Sequence, residues 1–336
     1  METIDSFKLL LNPDCIRDIQ QIRFDRQTFN PGANPDGKMF SITPAPIKDI
    51  LVLNNLETGL KRIEYDMQKD SLIIEGSAKI LHDQYMEGIT ANTIERVFDQ
   101  INHTGVIDLN PAKSIETGIL LRGDITRNIE VDYPVSEYTG ALGLMPVNDK
   151  YIIDRYKGAT VFRGKQKTFK ERMIVYDKAT EVKRDKEMRG YIKNIGNIAR
   201  VETNLAQQKR IRYYFDTNIL QGILMHPVKP NYLLFEKITH RAPNEVLELF
   251  DRYKDTKGLA ELLKNEGMRN IIRILNFDIE LIKQFISKQV KGNIRSRYLP
   301  EWIAVINQMY QEAGLKNLNT GYYTKLINEL RTKLAA

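Results

Sequence analysis

A single cysteine, Cys15, among 336 residues rules out an internal disulfide and a cysteine-built zinc site. One cysteine suits a reducing cytosol, and its expected place is a small buried apolar position. The four histidines, His82, His103, His226 and His240, show neither His-x-His nor HExxH spacing, so a histidine metal site has no support. No window approaches the roughly 18–20 apolar residues needed to cross a bilayer, which argues against a membrane protein. A GxxxxGK[ST] loop, a GxGxxG after a strand and a GxSxG elbow are also missing. Nucleotide hydrolysis, dinucleotide binding and serine hydrolysis lose their usual signatures. The opening METIDSFKLLLNPDC has no basic leader before its short apolar run, so no secretory signal is expected and the protein should act where it is made.

What is present is a soluble globular composition with a basic balance, net charge +7 and pI near 9.1, which favours an anionic partner. The charge is uneven. Residues 165–190 hold nine Lys or Arg against five Asp or Glu, and 283–297 holds Lys283, Lys288, Lys291, Arg295 and Arg297 with no acid. Both stretches fit phosphate contacts, and both also fit solvated surface faces.

Two domains are expected from the length and from a change of character along the chain. Short β-type runs dominate to about residue 220: Phe7–Leu11, Ser71–Leu81, Gly118–Val131, Ala159–Arg163, Arg172–Asp177 and Ile198–Leu205. A helix is expected over Ala91–Asn102, with Ile94, Val97, Phe98 and Ile101 on one face. Asn30–Asp36 has the composition of a loop. From Asn244 onward the periodicity is helical. The expected class is α+β, with residues 1–220 as the sheet-bearing domain, 221–243 as a linker and 244–336 as a helical domain.

Period-two alternation on the third of these strands puts Asp124, Thr126, Asn128 and Glu130 on a face opposite Ile125, Ile129 and Val131. A carboxylate in such a strand needs an ionic partner or a cation, which makes Asp124 a candidate ligand for Mg²⁺ or Mn²⁺. Glu75 stands in a similar context, and pairing of these acids with Arg122 or Lys79 is the structural alternative. Tyr176 lies near the end of Arg172–Asp177, and Lys178 shares its face if the strand continues. A phenol beside a cation can attack a phosphodiester, although most strand tyrosines only pack. Glu202 is a third carboxylate in a β-like stretch, able to bind a metal or pair with Lys178.

The segments LLRGDITRNIEV, MIVYDKATEVK and ARVETNL occur in that order, and together they resemble the gene-II-type replication proteins of filamentous phages and related small plasmids. The resemblance covers roughly residues 70–205 and includes IEGSAKIL with Glu75. It implies a metal ligand at Asp124 in an Arg-x-Asp strand with Arg122, a nucleophile at Tyr176 followed by Lys178 and Glu181, and an Arg-x-Glu strand with Arg200 and Glu202. Gly123 departs from the aliphatic residue commoner between that Arg and Asp.

By this resemblance the fold is expected to contain a central antiparallel sheet related to HUH/Rep nicking enzymes. The implied activity is rolling-circle initiation in a bacterial cytoplasm, by metal-dependent nicking and rejoining through a 5′-phosphotyrosyl link. Mg²⁺ or Mn²⁺ would be held by Asp124, Glu75 and Glu202. DNA contacts are expected from Arg122, Arg172, Lys165, Lys167, Arg200, Lys291, Arg295 and Arg297. The partners would be double- and single-stranded origin DNA, with a host helicase and polymerase as further candidates. Competing readings are an origin-binding initiator or regulator that does not cut, and an interaction protein whose tyrosines and acids are structural. A tyrosine recombinase would need its tyrosine late in the chain within a helical fold, whereas Tyr176 is mid-chain on a strand.

Overall fold

The computed structural model describes residues 2–20, 25–29, 48–148, 150–166, 171–192, 195–239, 267–289 and 295–336. The expected loop at 30–36 and the first expected C-terminal helical segment, 244–253, lie outside these residues. The architecture is mixed, with antiparallel sheet and helices. In chain order its elements are β1 Thr3–Leu11, β2 Ile16–Ile19, β3 Asp25–Phe29, β4 Lys48–Glu57, β5 Leu60–Asp66, β6 Ser71–Ser77, α1 Ile94–His103, β7 Ile107–Leu109, α2 Pro111–Thr117 and β8 Ile119–Glu130. They continue with α3 Val135–Leu144, β9 Tyr151–Tyr156, β10 Ala159–Gly164, β11 Glu171–Asp177, α4 Lys178–Arg184 and β12 Ile198–Leu205. Helices follow: α5 Gln208–Phe215, α6 Leu220–Met225, α7 Pro230–Thr239, α8 Met268–Ile274, α9 Ile279–Gln289, α10 Arg295–Glu312 and α11 Thr320–Ala335.

The chain forms two compact units, and neither is one continuous stretch. The first comprises Met1–Thr126, Val182–Lys193 and Asn204–Pro230, and the second comprises Arg127–Glu181, Asn194–Thr203 and Asn231–Ala336. β8 therefore changes unit after Thr126, and β12 after Thr203.

In the first unit the strands run in the order β3-β4-β5-β6-β1-β8, and each of these pairs is antiparallel. Alternation buries Leu9, Leu11, Leu72, Ile74 and Leu120, while α1 buries Ile94, Val97, Phe98 and Ile101, the face its spacing predicts. The β4–β5 hairpin turns through Gly59, which has φ +83° and whose carbonyl accepts the Ser77 amide at 2.8 Å. A Cβ there would stand 2.3 Å from the Ile80 backbone nitrogen, so the position requires glycine on two counts. Strand β6 stops at Ser77 instead of continuing to Leu81. Ala78, Ile80 and Leu81 are all buried in a 3₁₀ segment, Ala78–Gln84, and a strand would send neighbours such as Ile80 and Leu81 to opposite faces.

In the second unit β12-β11-β10-β9 are consecutive in the sheet, with β9–β10 and β10–β11 antiparallel. Its core joins Ile129, Val131, Phe162, Met173 and Val175 to Trp302, Phe285, Tyr310 and Tyr323 from the later helices. A buried polar triad lies within it. Glu171 on β11 is 3% exposed, and it accepts the Tyr151 hydroxyl at 2.6 Å and the Lys237 ammonium of α7 at 2.8 Å. No described helix is long and apolar enough to cross a membrane.

Candidate functional site

Two groups of side chains carry the chemistry expected from the sequence, one in each unit. In the first unit Ser6 on β1 stands opposite Asp124 on β8 and opposite Ser77 on β6. The Asp124 carboxylate accepts from the Ser6 hydroxyl on one oxygen and from the Asn204 amide on the other. Neutral donors, rather than Arg122, thus satisfy the half-buried carboxylate. The Ser77 hydroxyl is buried and has no hydrogen-bond partner among the described residues. In the next row Lys8 lies between Glu75 and Arg122, and its ammonium meets the Glu75 carboxylate at 2.5 Å. Lys79, the other suggested partner for Glu75, pairs with Asp185 instead.

Gly123 is explained by the same packing. A Cβ at this position would come 3.2 Å from a Leu120 methyl and 3.3 Å from the Ser6 carbonyl, tighter than ordinary contact. The smallest residue keeps β8 close to β1 where Asp124 meets Ser6.

In the second unit Tyr176 is the penultimate residue of β11, half-buried and opposite Ala159 of β10. The strand ends one residue later because Asp177 caps the following helix. Its carboxylate accepts the Thr180 amide at 3.0 Å and the Thr180 hydroxyl at 2.6 Å. Lys178 consequently does not continue the strand beside Tyr176; it opens α4. The turn still brings the two together, with the Lys178 ammonium 5.9 Å from the centroid of the Tyr176 ring. Lys178 is 0% exposed and pairs with Glu181 at 2.5 Å, which offsets the cost of burying its charge. Strand, cap and buried cation together fix where the phenol stands.

Among the described residues no three His, Cys, Asp or Glu side chains are grouped to hold a metal. A hard cation held by one or two carboxylates, with waters and substrate phosphates completing its shell, needs less. Asp124, engaged by neutral donors rather than by a cation, fits that role, with the Ser6 hydroxyl as a neighbouring oxygen donor. Glu75 does not fit while Lys8 holds it. Glu202 is half-buried on β12 in the second unit, on the strand face of Arg200.

Of the expected DNA contacts, Arg122, Lys165 and Arg172 are exposed. Arg200 requires correction: it is 1% exposed and donates to the Asn128 side chain at 2.8 Å, so it is a structural group joining β8 to β12. Arg295 and Arg297 fall in α10, and Lys167 and Lys291 lie outside the described residues. Sequence reasoning missed Ser6, Lys8, Ser77 and Asn204. Alternation marks Ser6 and Lys8 as sharing a face of β1, but their partners are distant in the chain and no local signal names them.

No family model matches the chain, and no curated protein sequence matches it either. Among solved structures the chain is similar to a rolling circle replication initiator protein from Geobacillus stearothermophilus, at 10% identity and a TM-score of 0.33, covering 72% of this chain and 88% of that one. A likeness this loose assigns neither fold nor activity.

Proposed function

We propose that the protein is a rolling-circle replication initiator of the gene-II type, with a sheet related to that of HUH/Rep enzymes, that nicks and rejoins origin DNA through Tyr176. The observation that carries the reading is the pairing of a strand-end tyrosine with a fully buried lysine 5.9 Å from its ring. A buried cation over the ring of a strand-end tyrosine suits a phenol that must react with a phosphodiester.

In the forward step the Tyr176 oxygen attacks phosphorus, a new O–P bond forms, and the bond from phosphorus to the 3′ oxygen breaks. The phenolic proton is lost and the departing oxygen gains one, leaving a 5′-phosphotyrosyl link and a 3′-hydroxyl for a host polymerase. Attack of a 3′-hydroxyl on the same phosphorus reverses the step, so no nucleotide is hydrolysed. Lys178, itself fully buried, places a positive charge 5.9 Å from the centroid of the Tyr176 ring, where it favours the phenolate. Asp124 would hold Mg²⁺ or Mn²⁺, and the ion would supply polarisation of a bound phosphate. Arg122, Arg172 and Lys165 supply exposed charge for the DNA backbone.

An origin-binding initiator that does not cut is the second reading, favoured by the closed Lys8–Glu75 ion pair. The deciding experiment mixes the full chain with Mg²⁺ or Mn²⁺ and labelled DNA from its own replicon, and seeks a covalent adduct on a denaturing gel. An adduct lost in Tyr176→Phe and Asp124→Ala supports the nickase. Salt-sensitive binding without any adduct selects the second reading.

A further inference from the structure

His82 has no role in the chemistry above, yet the chain holds it under strain. Its φ of 52° and ψ of −105° interrupt the 3₁₀ segment Ala78–Gln84, and its Nδ1 is buried with no hydrogen-bond partner among the described residues. Strain of this kind persists where the surroundings over-determine it, and it concentrates at functional positions. The imidazole meets the ring of Tyr191, with centroids 4.8 Å apart and planes inclined by 36°. Tyr191 is 49% exposed, so one ring is backed by protein while much of its surface faces solvent.

The contact is braced. The Lys79–Asp185 ion pair ties the His82 segment to the turn that carries Tyr191. The Asp185 carboxylate also accepts the amides of Glu187 and Met188 at 3.0 and 3.2 Å. Around this turn Lys183, Arg184, Lys186 and Arg189 are all exposed. The acids in the same stretch are Asp185, already engaged by Lys79, and Glu187. A rigid half-exposed aromatic ring amid an excess of exposed cations is the chemistry that binds single-stranded nucleic acid, in which bases stack and phosphates seek positive charge.

We infer that Tyr191, backed by His82, is a stacking platform for a base of single-stranded DNA, with Lys183, Arg184, Lys186 and Arg189 holding the flanking phosphates. The choice of DNA rests on the proposed nicking function, which exposes a single strand. The geometry of the platform does not rest on it.

The test uses the full chain carrying Tyr191→Trp. The native Trp302 is buried, so the introduced indole reports from the surface. Oligo(dT) is expected to quench it on binding. Tyr191→Ala should weaken oligo(dT) binding by roughly 5- to 150-fold, while Tyr191→Phe stays within about twofold of wild type. Replacing the four cations with Gln should reduce the salt dependence of log K by about 0.7 per cation, nearly 3 in all. No quenching, together with an unchanged affinity in Tyr191→Ala, overturns the platform, and tighter binding of oligo(rU) than oligo(dT) overturns the assignment to DNA. These binding results are independent of adduct formation. A chain that binds oligo(dT) through Tyr191 but never forms an adduct removes the nicking reading and leaves the platform standing.

Discussion

Replacing Lys178 with Met separates the chemical role of this residue from its structural one. Met keeps an unbranched side chain in the space of the lysine stem and removes the ammonium, with its charge and its ion pair to Glu181. At 5.9 Å from the ring centroid and an effective dielectric constant of about 20, an uncompensated unit charge would act with about 3 kcal/mol, roughly a hundredfold in rate; the Glu181 carboxylate beside it makes this an upper bound. The cost to folding is small by comparison. Glu181, the partner left behind, is about one-third exposed and can hydrate, and replacing a buried charge by an apolar group of similar volume is often neutral. Stability should therefore change by about 1 kcal/mol or less, measured as the midpoint of urea unfolding. Single-turnover adduct formation with labelled origin DNA should slow by roughly tenfold to a hundredfold, with DNA affinity little altered. An adduct rate within threefold of wild type in a folded Lys178→Met protein would refute an electrostatic role for this lysine. A loss of rate that tracks a loss of folded protein would show that Lys178 only holds α4 against β11.

Other substitutions test neighbouring claims. Glu171→Ala removes the buried acceptor shared by the Lys237 ammonium and the Tyr151 hydroxyl, and should cost about 1–2 kcal/mol in denaturant unfolding; a cost under about 0.5 kcal/mol would mean the triad is not structural. Gly59→Ala meets both the positive φ and the Ile80 backbone, so a loss of about 2 kcal/mol or more is expected in the same assay. Burial opposes ionisation of Asp185, but hydrogen bonds from Lys79 and from the Met188 and Glu187 amides outweigh it and hold the carboxyl below its ordinary 3.8. Its stabilising contribution is thus complete above about pH 4 and is lost as pH falls below that. In Lys79→Met the acid transition, followed by circular dichroism, should move to higher pH. Tyr156, 63% exposed, stands opposite Ala159, which in turn stands opposite Tyr176. If Tyr176 is the sole nucleophile, Tyr156→Phe leaves the first adduct intact, and its disappearance would show that the assignment to Tyr176 alone is incomplete.

Much of the sheet was legible because alternation is a local property. β8, β10, β11 and β12 were placed within a residue or two, and the buried face of α1 was named residue by residue. The β4–β5 hairpin was overlooked although its Thr58–Gly59 turn is a recognisable signal between two apolar runs. At the candidate site, residue type pointed to Asp124 and Tyr176 as worth attention. It did not reveal that Asp124 is satisfied by Ser6 and Asn204, nor that Glu75 is held by Lys8. Those partners are set by strand neighbours brought together from distant parts of the chain. Lys178 was connected to Tyr176 for the wrong reason: alternation along one strand suggested it, whereas a helix cap at Asp177 creates the proximity.

The alternation of the two units along the chain bears on how the protein is made. The first unit lacks Asn204–Pro230 until the 77 residues from Arg127 to Thr203 have been synthesised. At about 5–20 residues per second that is a delay of roughly 4–15 s. Meanwhile Asp124 has left the ribosome without Asn204, and β1, β6 and β8 wait without the turn that carries Tyr191. The first unit is complete only once Pro230 has been made, and the second only with the segment from Asn231 onward, so the early strands of each wait for partners from later in the chain.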